Sequence, residues 1–134
     1  MWEFKKPEYG NQIRVNRGFY YHHGIYEDDS HVYQFASPKG SEISPENALI
    51  IVTTLDEFLN GGKVEVRTYT NQELKNKRSN DEIIEFAKSK VGTGLGTYNL
   101  ISNNCEHFSN LCAFGKASSN QVEDVIKMLF GGDF

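Results

Sequence analysis

The feature that most constrains this chain is a paired run of strand-forming residues. Phe19-Tyr20-Tyr21-His22-His23-Gly24-Ile25-Tyr26 is dense in aromatic side chains, and Glu27-Asp28-Asp29-Ser30 follows it as a polar turn signal. A second run, His31-Val32-Tyr33-Gln34-Phe35, comes next. Two such runs around a short polar turn read as a β-hairpin. Side chains alternate along a strand, so His22 and His23 point to opposite faces and only one can look into a given site. Both faces carry aromatics, so periodicity does not choose between them.

Far downstream lies Asn103-Asn104-Cys105-Glu106-His107-Phe108-Ser109. Asn is a strong N-cap residue because its side-chain oxygen accepts an orphan backbone N–H. The residues after it read as a helix that stops at Gly115. Cys105 then sits in the first turn, at the positive end of the helix dipole. That position favours the thiolate, the nucleophilic form of cysteine. Such a nucleophile needs a base, and the histidine pair of the hairpin is the best source.

The rest of the chain reads as scaffold. Residues 11–17 and 63–69 are strand candidates, the second alternating polar and apolar, and residues 49–53 are expected to be a buried strand. Ser79-Asn80-Asp81-Glu82 is a capping box that opens a helix with an apolar stripe of Ile83, Phe86, Ala87 and Val91, closed by Gly92. A final helix opens at Ser118-Ser119-Asn120-Gln121, with Val122, Val125, Ile126, Leu129 and Phe130 on one face. Residues 36–47, with Pro38, Gly40 and Pro45, are the longest irregular stretch. Cys112 is read as core, His23 as packing on the face opposite His22, and His107 as partly exposed or a backbone anchor.

Composition excludes several classes. A chain of 134 residues fits one domain, and its 38% hydrophobic and 13% aromatic content is enough for a core. A net charge of −4 with no Lys/Arg cluster argues against nucleic-acid binding. The longest apolar run, Ala48-Leu49-Ile50-Ile51-Val52, is far short of the ~20 residues of a membrane span. Met1-Trp2-Glu3-Phe4-Lys5-Lys6-Pro7 has no apolar signal core, so a reducing, cytoplasmic location is expected. Cys105 and Cys112 lie on one helix with Cα atoms roughly 10 Å apart, beyond the about 7 Å a disulfide allows. The His and Cys spacings match no common metal pattern, so neither metal nor cofactor is expected.

The two blocks together, His22-His23-Gly24-Ile25-Tyr26 and Asn104-Cys105-Glu106-His107-Phe108, resemble the signature segments of the lecithin:retinol acyltransferase-like family. Gly10-Asn11-Gln12-Ile13, Leu55-Asp56-Glu57-Phe58, Tyr98-Asn99-Leu100 and Ser119-Asn120-Gln121-Val122 resemble its intervening segments, so the likeness covers most of the chain. It implies a single domain over residues 1–134. The implied fold is α+β, circularly permuted papain-like (NlpC-type), with an antiparallel sheet packed on the helix that carries the cysteine. Carried over by position, Cys105 matches the nucleophile and His22 the base. Gln34 matches the third polar residue, often His in the family, and Asn11 stands where an acidic residue is common. A neutral Gln can orient an imidazole, though it cannot stabilise the imidazolium as a carboxylate does. His31 is a substitute if the turn shifts the register.

The function this implies is a cysteine-dependent acyltransferase or hydrolase working through an acyl-thioester on Cys105. Its substrate is an acyl-lipid or another small acyl ester, and peripheral membrane contact stays open. An NlpC-type peptidase or amidase and a catalytically inactive interaction module are the alternatives. Oligomeric state is not legible.

Overall fold

The hairpin lies inside a larger sheet. In the computed structural model, which describes residues 1–36, 48–94 and 104–115, it is made by β3 (Tyr21–Asp28) and β4 (His31–Ala36). Around it stand β1 (Trp2–Phe4), β2 (Gln12–Asn16), β5 (Leu49–Thr53) and β6 (Val64–Arg67). Among the described residues these six strands make one sheet in the order β1-β6-β2-β3-β4-β5, with neighbouring strands antiparallel. The helices are α1 (Leu55–Leu59), α2 (Asn71–Asn76), α3 (Asn80–Lys90) and α4 (Asn104–Phe114).

Local chemistry moves both ends of the hairpin from their expected places. Gly18 has φ +95° and Arg17 N–H donates to Tyr20 O, so the chain is still turning until Tyr21. At the far end β3 continues through Asp28 with a bulge between Tyr26 and Asp28, so the reversal falls at Asp29-Ser30 rather than over four residues. Asp28 Oδ1 secures it by accepting from Ser30 N–H at 2.9 Å.

Alternation splits the sheet into two faces. On one, Ile25, Tyr33, Phe35 and Ile50 pack against Ile83, Ile84 and Ala87 of α3 and against Cys105, Phe108, Cys112 and Ala113 of α4. On the other, Ile13, Val15, Tyr26, Val32 and Val66 pack around Phe58 of α1. Burial of both faces explains why Glu65 and Val66, adjacent in β6, are both buried instead of alternating. β5 departs from expectation: it is an edge strand, and Val52 is 39% exposed.

Three helices begin with complete capping boxes, Thr54/Glu57, Thr70/Glu73 and Ser79/Glu82. The third was expected, and its helix closes as expected at Val91 with Gly92 at φ +82°. The buried stripe of α3 is Ile83, Ile84 and Ala87, with Phe86 partly buried and Val91 42% exposed. Val91 faces out because it is the C-cap, where the helical repeat has already ended. Cys105 stands in the first turn of α4, and Gly115 at φ +74° ends that helix with its N–H on Leu111 O at 2.9 Å. The expected cap Asn103, the segment 98–100, the loop beyond Ala36 and the final helix lie outside the described residues.

Candidate functional site

The alternation of β3 settles which histidine faces what. His22 lies on the α1 face, fully buried, with its ring stacked on Phe58 at 5.1 Å between centroids and 28° between planes. Gln34 lies on the same face of the neighbouring strand, where it registers with Gly24. His22 Nε2 and Gln34 Oε1 are 2.6 Å apart. Gln34 Nε2 donates to Thr53 Oγ1 at 2.7 Å, and Thr53 Oγ1 donates to Thr54 O at 3.1 Å.

This chain of bonds assigns a tautomer. Thr53 gives its proton to a main-chain oxygen, so its lone pair takes the amide N–H of Gln34. That fixes the amide with Oε1 toward the ring. A carboxamide oxygen only accepts, so Nε2 of His22 is the donor. The neutral imidazole then carries its basic lone pair on Nδ1.

Cys105 comes from the other layer. Its side chain belongs to the core cluster of α3 and α4, and its sulfur lies 3.9 Å from the carbonyl oxygen of Tyr21. That carbonyl is half of the Tyr21–His22 peptide, so helix and hairpin bring the thiol to the backbone of the expected base. Cys112 is fully buried, and burial pushes its thiol far up from the usual value. Cys105 and Cys112 are both thiols rather than halves of a disulfide. His31 stands at the turn, exposed, its Nδ1 2.8 Å from Asp28 Oδ1; Gln34 is the residue that meets His22.

His23 faces α4. Its ring is buried, edge-on to Trp2 at 5.5 Å, with Nε2 3.5 Å from Glu106 Oε2. Burial lowers its pKa to about 3, and the positive charge of Arg14 adds to the shift. With its pKa at about 3, His23 is neutral at physiological pH. The contact of Glu106 with His23 needs the sheet laid against α4. His107 is buried instead of partly exposed.

A polar network ties α4 to the sheet next to this site. Gln12 Nε2 donates to Ser109 Oγ at 2.9 Å and to Asn110 Oδ1 at 3.0 Å. Gln12 Oε1 accepts from Tyr69 Oη at 2.8 Å and from Arg67 Nη1 at 3.3 Å. Arg67 also reaches Asn110 Oδ1 at 2.8 Å and Glu73 Oε2 at 2.5 Å. A cleft of about 540 Å³ opens beside it, lined in part by Trp2, Arg67, Glu73, Glu106, Asn110 and Phe114. It reaches Glu106, the neighbour of Cys105 on α4, while Cys105 is not in its wall. At the turn end of the hairpin, ligand atoms of Glu27, Asp28 and His31 lie within 4.8 Å of one another. Tyr33 Oη donates to Glu27 there, which makes the trio part of the turn's own bonding.

The family model described as lecithin retinol acyltransferase matches residues 5–118 of this chain. The chain is similar to phospholipase A and acyltransferase 3 of Homo sapiens, at 33% identity over 131 residues, covering 90% of this chain and 79% of that protein. It is 30% identical to phospholipase A and acyltransferase 5 of Rattus norvegicus, covering 91% of this chain and 44% of that protein. It is 24% identical to lecithin retinol acyltransferase of Mus musculus, covering 90% of this chain and 61% of that protein.

Proposed function

The chain belongs to the lecithin retinol acyltransferase family, and from that premise we propose that it is a thiol acyltransferase or phospholipase-type hydrolase. In this reading Cys105 is the nucleophile, His22 the base and Gln34 the residue that orients the base. The whole chain acts as one domain of the circularly permuted papain-like kind. The order of elements supports that, with the imidazole strand preceding the thiol helix.

The observation that carries the reading is the bond of His22 Nε2 to Gln34, held in turn by Thr53. It leaves Nδ1 as the nitrogen that takes the thiol proton. The sulfur at the Tyr21–His22 peptide is the second support. As the thiol proton passes to Nδ1, the sulfur bonds to the acyl carbonyl carbon of an ester. Main-chain N–H groups in the first turn of α4, that of Cys105 among them, face the developing oxyanion. The tetrahedral species collapses, the C–O bond breaks, and the leaving alcohol takes the proton back from the imidazolium. Water or a second acceptor then gives a proton to Nδ1, attacks the thioester and frees Cys105.

The names of the relatives point to phospholipid as the acyl donor. Incubation with a panel of phospholipids, short acyl esters and acyl-peptides, followed by mass spectrometry, tests the reading. An acyl group on Cys105 after exposure to phospholipid supports it. An adduct from peptide amides alone selects the peptidase alternative, and no adduct from any donor selects the inactive interaction module.

A further inference from the structure

We propose that one end of the sheet, built by Phe4, Lys5, Lys6, Phe19 and Lys63, docks on an anionic phospholipid bilayer beside the thiol site. The inference rests on the acyl-lipid reading above and adds the surface through which such a substrate is reached.

Register brings these residues together. Phe4 of β1 pairs with Glu65, Glu65 with Arg14, and Arg14 with His23 across four strands. Moving toward the end of the sheet, β1 is followed by Lys5 and Lys6, and β6 is preceded by Lys63. Beyond Asn16 and Tyr21, which pair with each other, lies the loop that carries Phe19. All three lysines are exposed, Phe4 is 71% exposed, and Phe19 is fully exposed. Glu3 Oε2 lies 3.7 Å from Lys5 Nζ in a half-exposed pair. Such exposed pairs are weak and compete poorly with a charged interface.

Two properties set this end apart from ordinary surface. The chain as a whole carries −4, so three exposed lysines gathered at one sheet end by the register run against the overall charge. The Phe19 loop is also tied down rather than loose. Arg17 N–H donates to Tyr20 O, Asn16 Oδ1 accepts from Gly18 N–H, and the Arg17 guanidinium donates to Leu59 O and Phe58 O of α1. The tied loop thus projects an aromatic ring into solvent at the sheet end that carries the lysines. Apolar and aromatic side chains that enter the headgroup region, backed by basic residues, are the physical basis of peripheral binding to anionic membranes. Tyr21, two residues after Phe19, supplies the carbonyl at 3.9 Å from the Cys105 sulfur. Insertion of Phe19 therefore sets the thiol at the lipid surface.

Sedimentation of the full chain carrying Cys105→Ala with vesicles tests the docking apart from turnover. Binding should be at least about tenfold stronger to phosphatidylcholine vesicles containing phosphatidylserine than to phosphatidylcholine alone. Phe19→Asp, and separately Lys5→Glu with Lys6→Glu and Lys63→Glu, should each lower that binding by roughly tenfold. Lys88→Glu, on the exposed side of α3, should leave it unchanged. Equal binding to both vesicles, or no loss in either variant, overturns the proposal. With Cys105 intact, Phe19→Asp should slow turnover of vesicle phospholipid and spare a water-soluble short-chain ester. If the variants lose vesicle binding while Cys105 is acylated by neither substrate, the acyl-enzyme reading has failed and the docking surface stands.

Discussion

Gln34 Oε1 accepts from His22 Nε2 at 2.6 Å, and the same amide is pinned from behind by Thr53. In the proposed function this neutral carboxamide orients the imidazole. Gln34→Ala leaves a buried imidazole donor without its acceptor, which costs on the order of 1–3 kcal/mol of stability. General-base catalysis contributes roughly 10²–10⁴-fold, so the variant should lose on the order of tenfold to hundredfold in rate. Gln34→Glu separates orientation from packing: its carboxylate stabilises imidazolium and should shift the acid limb of the pH–rate profile to higher pH. A profile that stays in place in both variants would remove Gln34 from the mechanism.

The two thiols differ in surroundings. Cys105 opens α4 beside a main-chain carbonyl, while Cys112 sits in the core with its thiol pushed far up by burial. Iodoacetamide at neutral pH should alkylate Cys105 alone in the folded protein and both residues in urea, as peptide mapping can follow. Cys105→Ala should keep the thermal midpoint close to that of the parent and lose acyl transfer completely.

Gln12 holds Ser109, Asn110, Tyr69 and Arg67 at once from a buried position. Gln12→Ala removes the bond to the buried Ser109 hydroxyl and the part-buried bonds to Asn110, Tyr69 and Arg67. Urea titration should register a loss on the order of 2–3 kcal/mol. Because Ser109 and Asn110 belong to the helix of Cys105, the rate of Cys105 alkylation should change as well.

His23 makes stability depend on pH in a direction that can be worked out. Its folded pKa is lowered from 6.5 to about 3, so the unfolded chain binds a proton that the native chain refuses. Stability from this site is complete above about 6.5 and falls as pH drops toward about 3. The slope is about 1.4 kcal/mol per pH unit for one group. His23→Phe keeps the ring against Trp2 and removes the titration. Denaturant midpoints measured between pH 7 and pH 4 should therefore fall less steeply in the variant; parallel curves would count against a buried neutral His23.

Much of the scaffold was readable because its signals are local. The capping box at Ser79 and Glu82 and the glycine stops at Gly92 and Gly115 each act within a few residues. Thr54/Glu57 and Thr70/Glu73 carry the same signature and mark α1 and α2, which a scan for that motif would have found. The edge position of β5 had no such signal. An apolar strand reads alike in the middle of a sheet and at its edge; here β4 pairs along one side, an isolated bridge from Ile50 to Val91 stands on the other, and Val52 is left 39% exposed. The bulge after Tyr26 was equally silent, since it depends on how Asp28 bonds across the turn.

The sequence by itself determined the residue types that can do this chemistry and the elements that carry them. A thiol opens a helix, two histidines sit back to back on a strand, and a glutamine follows on the next. Those properties come from helix capping and strand alternation, which operate over a turn or a pleat. Only the tertiary structure decided the partners: His22 with Gln34 and Phe58, His23 with Trp2 and Glu106, and the Cys105 sulfur with the Tyr21 carbonyl. Each of these contacts needs one strand or helix laid against another, and the burial of both sheet faces, not any local preference, sets how they lie.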